Sequence, residues 1–455
     1  MNAMLRRVSA ALESADEGLR TLMLRTHVPS IVPGALTFAA FFLLMMTRTL
    51  GQLSGASAMQ RTPAVLVLCL PLLVMLFFAL RITKEQSGGL LVSLGVCALC
   101  ALSMLARVSF IERSSGDYDI YLADWIGKLA AGSFSDGMRA NIGEYNVLYQ
   151  YILFLITRLP VPALYVVKAV SFIGDAFLAG AAAKLAGRDG KQSLTAFAAV
   201  LLLPTCVLNG GMFAQSDSLY AACALWGLAL SLGRKPVRAA VCFALSLAFK
   251  LQSVFLLPVV AVLWAHRKLK LREALVFVLT LAAVAFPALL GGKSIGALLS
   301  IYTAQTGLYT GLNYNAAGFF GLMNTNGLDV YAYGNFGMAL ALGALCALLA
   351  YAMPRAEKMD DADYVRTSLI MVLVVVFLLP RMHERYFYLA DILAVALACR
   401  DRRAVLPAGL IALASLSRLW DMGIPLAAAS MMMLAAIALL LSQAKDACEK
   451  ETTCV

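Results

Sequence analysis

One short polar stretch stands out in this apolar chain because its residue types could do chemistry. Residues 114–132, SSGDYDIYLADWIGKLAAG, hold carboxylates and aromatic rings side by side: Asp117, Tyr118, Asp119, Tyr121, Asp124 and Trp125. A positioned carboxylate can accept a proton from a hydroxyl, and an aromatic ring can pack against the apolar face of a sugar. A structural interpretation stays open, since Asp117 or Asp119 could cap an interfacial helix and Asp124 could lie with Lys128 on its solvated face.

Three further polar stretches contain candidate binding residues. They are Gln215 and Asp217 in LNGGMFAQSDS (208–218), Asn315 in IYTAQTGLYTGLNYNAAGFFGLM (301–323), and Arg381, His383, Glu384 and Arg385 in LLPRMHERYFYLAD (378–391). Ser216 or Asp217 could instead cap a helix, and arginines at a helix end could simply extend toward the membrane surface. The segment MHERYF begins like the zinc motif H-E-x-x-H, but Phe387 occupies the second histidine position, which excludes that motif.

The elements that must position these residues are membrane helices. The chain of 455 residues is 61% hydrophobic and only 14% charged, with a mean hydropathy of +0.82, whereas soluble domains carry about 25% charged residues. Apolar runs of spanning length recur along the sequence. They predict spans near 31–48, 63–81, 88–106, 163–184, 193–208, 217–233, 236–250, 251–265, 272–290, 334–352, 364–380, 385–399, 403–420 and 424–443.

The basic residues predict the orientation of these spans. With the N-terminus inside, most of the 37 lysines and arginines fall in cytoplasmic segments, as the positive-inside rule requires. Examples are RITK (81–84), GRKPVR (233–238), HRKLKLR (266–272) and CRDRR (399–403). All four polar stretches then lie outside. The net charge of +11 is explained by topology and attraction to anionic lipid, so we expect no nucleic-acid partner.

Two segments constrain this topology. Residues 145–159 are apolar, but counting them as a span would place the later basic loops outside, so we expect a helix in the outer interface. Residues 237–264 must form a hairpin for the same reason. Each arm would be about 15 residues, or roughly 22 Å, which is shorter than the hydrocarbon core. Lys250, Gln252 and Ser253 at the turn would then lie at membrane depth, where a charge requires a wet or protein-lined cavity.

The chain shows no internal repeat and no secretory cleavage signal. We expect a cytoplasmic amphipathic N-terminus (1–30), one transmembrane domain (31–443) and a cytoplasmic tail (444–455). The large outer loops of the domain are 107–162, with interfacial helices, and 291–333. Cys97 and Cys100 form a C-x-x-C inside an apolar helix without a second pair, which favours packing over zinc binding.

Six segments together resemble the GT-C glycosyltransferases, specifically bacterial membrane proteins related to the mannosyltransferases of GPI-anchor assembly. They are SGDYDIYLADW, YNVLYQYILFLITRL, LLPTCVLNGGMFAQSDSLYAA, LSLAFKLQSVFLLP, LNYNAAGFFGLM and PRMHERYFYLAD. The resemblance begins near residue 88, so it says little about residues 1–87. It implies an all-α polytopic bundle of about 12–14 transmembrane helices in the plasma membrane.

The resemblance also implies an activity and a set of roles. The expected reaction transfers a sugar, mannose for example, from a polyprenyl-phosphate donor to an acceptor hydroxyl on the extracytoplasmic face. Asp117 matches the position of the catalytic base, and Asp119 completes an acidic pair that could hold a divalent cation. Because phosphate is a good leaving group, a single displacement with inversion is expected. The acceptor would be a glycan, a lipid or another cell-envelope component.

The remaining site residues are expected to bind the donor or the acceptor. Lys250, Arg381, His383 and Arg385 would hold the departing lipid phosphate, and the expected substrate-binding residues are Tyr118, Gln215, Asp217, Gln252, Asn315 and Glu384. The family often has Trp before the glutamine, whereas this chain has Phe213 and Ala214. A polysaccharide polymerase or ligase that uses a diphosphate-linked glycan is the alternative, followed by a lipid or solute transporter.

Overall fold

The structure is a computed structural model, and it describes residues 31–47, 53, 55–85, 89–140, 142–143, 145–187, 189–304, 310–355 and 358–452, with positions 14, 17 and 18 near the N-terminus. The cytoplasmic N-terminus predicted for 1–30 therefore lies almost wholly outside the described residues. So do residues 305–309 of the second outer loop and the last three residues of the tail.

The chain is 79% helical, which confirms an all-α fold. The first half contains α1 (Ile31–Thr47), α2 (Ala58–Glu85), α3 (Leu90–Val108), α4 (Ala123–Ala130), α5 (Phe134–Arg139), α6 (Val147–Ile156), α7 (Ala163–Ala186), α8 (Gly190–Leu202), α9 (Pro204–Val207), α10 (Asp217–Leu232) and α11 (Pro236–Phe249). The second half contains α12 (Leu257–Ala265), α13 (Leu271–Leu290), α14 (Ile295–Ala304), α15 (Val330–Ala352), α16 (Asp361–Leu378), α17 (Tyr388–Arg400), α18 (Val405–Leu419) and α19 (Leu426–Thr452).

Short irregular elements connect these helices. Single π-helical turns lie at Tyr118–Leu122 and Leu208–Met212, and 3₁₀ turns lie at Leu251–Phe255, Phe319–Gly321, Met353–Arg355 and Arg402–Ala404. Two strands of two residues each, β1 (Asn313–Tyr314) and β2 (Met382–His383), pair in parallel. The two π-helical turns and both strands lie within the four polar stretches that the sequence singled out.

Several helices are long and apolar enough to cross a membrane, so the protein is polytopic. Among the described residues, six helices meet both criteria, and the bent pair Gly190–Leu202 and Pro204–Met212 would make a seventh. Shorter apolar helices occupy other predicted spans, including Asp217–Leu232 and Pro236–Phe249. The total of 12–14 spans stays a prediction, because it depends on whether these shorter helices cross.

Helix α7 forms the centre of the bundle. The most apolar 18 residues of this helix are 83% buried. The helix packs against α2, α8, α10 and α17. By contrast, the most apolar 18-residue stretches of α13 and α15 are only 11% and 17% buried. An apolar helix that the protein leaves uncovered is expected to face lipid, so α13 and α15 lie at the periphery.

Helix α6 and the region around Lys250 have the local structures that the topology requires. Helix α6 has ten residues and is therefore about 15 Å long, half of the hydrocarbon thickness. Helix α11 ends at Phe249, where Lys250 is extended with φ −155° and ψ 141°. Pro258 in the first turn of α12 cannot donate a backbone hydrogen bond, which favours a new helix start over a continuous helix.

The basic loops meet at one end of the bundle. Arg400 donates to the carbonyl of Leu185 (3.4 Å), and Arg366 donates to Asp401 (2.6 Å). The Nζ of Lys268 lies 4.7 Å from the centroid of the Tyr364 ring. These contacts join the carboxyl ends of α7 and α17, the loop before α13 and the start of α16.

Candidate active-site cavity

A cavity of about 610 Å³ opens at the other end of the bundle. Six segments form its walls: the turn before α4 with the start of that helix, the loop between α5 and α6, the loop between α9 and α10, the break between α11 and α12, the first turns of α15, and the loop between α16 and α17. Its polar lining includes eight residues that were predicted as site residues, namely Asp117, Tyr118, Gln215, Lys250, Gln252, Arg381, His383 and Arg385. The structure thus brings residues from distant parts of the chain into one space.

Asp117 lies on the cavity wall immediately before the π-helical turn. Its side chain is 44% exposed and forms an ion pair with Nη2 of Arg385 at 3.0 Å. Nε2 of Gln215 donates to the same carboxylate oxygen, also at 3.0 Å. Ser115 Oγ donates to the carbonyl of Phe213 (2.8 Å) and so connects the segment that contains Asp117 to the segment that contains Gln215. The carboxylate is therefore held in place while part of it stays open to the cavity.

Gln215 is fixed by three contacts besides the one to Asp117. Its backbone N–H donates to the Asn209 carbonyl (3.0 Å), and its own carbonyl accepts from Ser171 Oγ (2.6 Å). The hydroxyl of Tyr145 donates to Oε1 of Gln215 at 3.4 Å. Because Oε1 accepts this bond, the amide NH₂ points at Asp117, which fixes the orientation of the glutamine.

Asp217 and Lys250 form a buried ion pair behind the cavity wall. Nζ of Lys250 donates to Oδ1 of Asp217 at 2.5 Å, and Nδ2 of Asn209 donates to the other oxygen at 3.0 Å. The Tyr145 ring lies 5.2 Å from the ammonium, and Nε of Arg385 lies 3.9 Å from Asp217. Lys250 reaches the cavity, whereas Asp217 does not line it and instead positions two cations.

The loop between α16 and α17 is anchored by the small β-sheet. The N–H groups of Arg381 and Glu384 donate to the carbonyls of Leu312 (2.8 Å) and Tyr314 (3.1 Å). Arg381 has φ +63°, a left-handed conformation that is uncommon for a residue with a side chain. The rings of Tyr314 and His383 stack with centroids 4.8 Å apart. The backbone of this loop is thus fixed, which directs Arg381, His383 and Arg385 toward the cavity.

His383 is neutral at physiological pH. Burial lowers the pKa of its imidazole to about 4, helped by the positive charges of Arg385 and Lys250. At pH 7 the ring therefore acts as a hydrogen-bonding group and not as a cation. His383 therefore adds no positive charge to the cavity at this pH.

Besides Asp217, three predicted site residues do not line the cavity. Asp119 is exposed, accepts from Ser114 Oγ (2.9 Å) and does not line the cavity. Glu384 pairs with Nη1 of Arg385 at 3.0 Å, and Asn315 exchanges hydrogen bonds of 3.3 Å with Arg418. Within the described residues, no three His, Cys, Asp or Glu side chains gather to hold a metal ion. A divalent cation at Asp117 and Asp119 stays a prediction without a visible ligand set.

The cavity also contains residues that sequence reasoning did not assign to the site. These are Tyr145, Trp125 and Tyr121 on the side of Asp117, and Tyr331 and Asn335 on α15. Tyr145 was placed in the outer loop, but its contact with Gln215 depends on a fold that brings residues 145 and 215 together. Asn335 is a polar residue within a predicted span, a signal that could have pointed to the cavity.

The fold and the site together define a class: a polytopic helical membrane protein with a cavity that contains several charged side chains, at the end of the bundle away from its basic loops. Residues 145–266 match the family described as "Alpha-(1->6)-mannopyranosyltransferase, N-terminal domain". The matched region includes Gln215, Asp217 and Lys250, whereas Asp117 and the loop with Arg385 lie outside it. A comparison with curated proteins finds no match.

Proposed function

We propose that this protein is a membrane glycosyltransferase that moves a mannosyl group from a polyprenyl-phosphate donor to an acceptor hydroxyl. The observation that carries the proposal is the gathering of one carboxylate, Asp117, and three cations, Lys250, Arg381 and Arg385, in one cavity. The match of residues 145–266 to a mannopyranosyltransferase family supports glycosyl transfer and suggests mannose as the sugar.

The reaction follows from the arrangement of these charges. Asp117 accepts the proton of the acceptor hydroxyl while the hydroxyl oxygen attacks the anomeric carbon. The bond between that carbon and the phosphate oxygen breaks, and its electron pair leaves with the phosphate. Arg385, Arg381 and Lys250 stabilise the departing anion. Attack from the side opposite the phosphate inverts the configuration at the anomeric carbon.

The position of the cavity supports a lipid-linked donor on the extracytoplasmic face. One wall is formed by Tyr331, Gly334 and Met338 of α15, a helix that the protein leaves largely uncovered. A donor head group could therefore enter the cavity while its lipid stays in the bilayer. The basic loops gather at the opposite end of the bundle, which the positive-inside rule assigns to the cytoplasm.

The test is transfer by the Asp117→Asn variant in lipid nanodiscs. Polyprenyl-phosphate [³H]mannose serves as the donor and octyl α-D-mannopyranoside as the acceptor. Turnover should fall by about 10²–10⁴-fold, because asparagine keeps the shape of the base without its basicity. Donor binding, measured by co-sedimentation, should be retained.

Asp124→Asn is the matched control. Asp124 lies in the same stretch, and its side chain is half exposed and pairs with Lys128, so its removal should leave turnover near that of the unsubstituted protein. Near-normal turnover of Asp117→Asn would show that Asp117 is not the base. Absence of transfer by the unsubstituted protein to any mannoside would contradict the proposed activity.

A further inference from the structure

The cavity has an aromatic side that the proposed reaction does not yet use. Tyr118, Tyr121, Trp125 and Tyr145 line it next to Asp117, and we call these four residues the aromatic wall. The ring centroids of Tyr121 and Trp125 are 6.4 Å apart, and those of Trp125 and Tyr145 are 5.5 Å apart. Tyr121 is 52% exposed. Large aromatic side chains that line a cavity are available for binding a ligand.

Gly143 fixes the orientation of Trp125. Its φ of +61° is a left-handed conformation, and a Cβ on Gly143 would collide with Cε2, Cζ2 and Cδ2 of the indole. These three atoms are consecutive members of the six-membered ring of the indole. The Gly143 backbone therefore lies against one face of Trp125. Only glycine permits both this φ and this close approach. The Gly143 backbone therefore restricts the position of the indole, which is partly exposed and lines the cavity.

The charges of the cavity determine which substrate meets this wall. The phosphate of the donor belongs with Lys250, Arg381 and Arg385, and Arg385 lies on one side of Asp117 at 3.0 Å. The hydroxyl that reacts must contact Asp117, so the rest of the acceptor extends away from Arg385. The aromatic wall begins at Tyr118, the residue next to Asp117. A pyranose can place its apolar C–H face on such rings and keep its hydroxyls at their edges.

We propose that the aromatic wall is the acceptor subsite, that it binds a pyranose ring, and that Trp125 determines acceptor specificity. The assignment of the aromatic wall to the acceptor, and not to the donor, rests on the proposed function. The binding of a sugar to the wall is testable without it.

The kinetic test compares acceptor use by Trp125 variants. Trp125→Ala should raise KM for octyl α-D-mannopyranoside by about 10-fold, because an aromatic stacking partner and its buried area are lost. The ratio of transfer to donor hydrolysis by water should fall to the same extent. Trp125→Phe should restore most of the affinity. A merely structural role would lower transfer and hydrolysis together and leave their ratio unchanged, which would overturn the proposal.

Two glycine variants test how Trp125 is held. Gly143→Ala should reproduce the rise in KM, since the new methyl group displaces the indole. Gly127→Ala is the control, because Gly127 lies on the same short helix as Trp125 and nothing lies within 4 Å of its Cβ position. Should Gly143→Ala fail to fold, the two Trp125 variants decide the question alone. An unchanged KM in Trp125→Ala overturns the subsite.

A binding measurement separates this inference from the proposed function. Octyl α-D-mannopyranoside should change the tryptophan fluorescence of the unsubstituted protein saturably, and hexaethylene glycol monooctyl ether, which has the same alkyl chain without a sugar, should not. The change should disappear in Trp125→Phe. If the fluorescence behaves in this way but no mannose is transferred, the aromatic wall stands and the proposed activity fails. If Trp125→Phe shows the same fluorescence change as the unsubstituted protein, the proposal that the aromatic wall binds the sugar is overturned.

Discussion

Arg385 is the residue that connects the charges of the cavity. Its guanidinium contacts Asp117 at 3.0 Å and Glu384 at 3.0 Å, and it lies 3.9 Å from Asp217. A planar guanidinium can contact several oxygens at once, whereas an ammonium is a single point charge. Arg385 can therefore hold a phosphate oxygen while it stays close to Asp117, the proposed base.

Replacing Arg385 should impair binding of the donor and departure of its phosphate together. For Arg385→Ala we expect kcat/KM for the donor to fall by about 10²–10³-fold, the usual effect of removing a positioned donor of charge-assisted hydrogen bonds. Arg385→Lys should recover only part of this loss. Arg355→Ala is the control, since Arg355 is exposed and bonded to the Tyr351 carbonyl at the opposite end of the bundle. An unchanged KM and kcat in Arg385→Ala would exclude Arg385 from the phosphate site.

His383 should leave no ionisation in the pH–activity profile above pH 5. Burial and the neighbouring cations lower its pKa to about 4, so the ring is already neutral throughout the range from pH 5 to 8. The profiles of kcat/KM for the unsubstituted protein and for His383→Gln should therefore have the same shape. If an ionisation near pH 6–7 is present in the former and absent in the latter, His383 is a cation and its assignment is wrong.

Among the helices, the sequence predicted positions well and side-chain directions poorly. The span predicted at 163–184 is the helix Ala163–Ala186, and the break expected at Lys250 is present, because hydropathy and charge report burial along the chain. Asp117 and Asp119 were expected to act as a pair. The segment is helical, however, and residues two apart on a helix point to different sides, so Asp119 faces Ser114. The contact of Tyr145 with Gln215 depends on the tertiary fold, which no local sequence pattern encodes.

Helix α15 approaches Phe320 and the carboxyl end of α16 at Gly337, next to Met338, which lines the cavity. A Cβ on Gly337 would lie 2.8 Å from the ring of the buried Phe320 and 3.1 Å from the Leu378 carbonyl. Gly337→Ala should therefore push α15 outward and lower the free energy of unfolding by about 1–3 kcal/mol. Thermal unfolding in detergent measures the effect, and donor binding should weaken with it.

Gly343 provides a matched control on the same helix. Nothing lies within 4 Å of its Cβ position, so Gly343→Ala should be neutral or stabilising by up to about 1 kcal/mol through helix propensity. Equal melting temperatures for the two variants would show that the contact at Gly337 does not limit the approach of α15.

For the molecule as a whole, the two ends of the bundle should face opposite sides of the membrane. Lys191 is exposed next to the basic loop after α7, and Asp124 is exposed near the cavity. A membrane-impermeant maleimide added to intact cells should label Asp124→Cys and should not label Lys191→Cys until the cells are permeabilised. The unsubstituted chain, with its ten cysteines, gives the background. The reverse pattern would invert the topology and place the cavity on the cytoplasmic side.

The ion pair between Asp217 and Lys250 has a consequence for the order in which the chain assembles. Asp217 begins α10 and Lys250 follows α11, so the two charges stand at the open end of a single helical hairpin. They can neutralise each other as soon as this hairpin enters the bilayer, before any later helix has been synthesised. Arg385, by contrast, leaves the ribosome far later than Asp117. Asp117 therefore has no guanidinium partner until the loop between α16 and α17 has been synthesised, and a chain that ends before this loop should insert without forming the complete cavity.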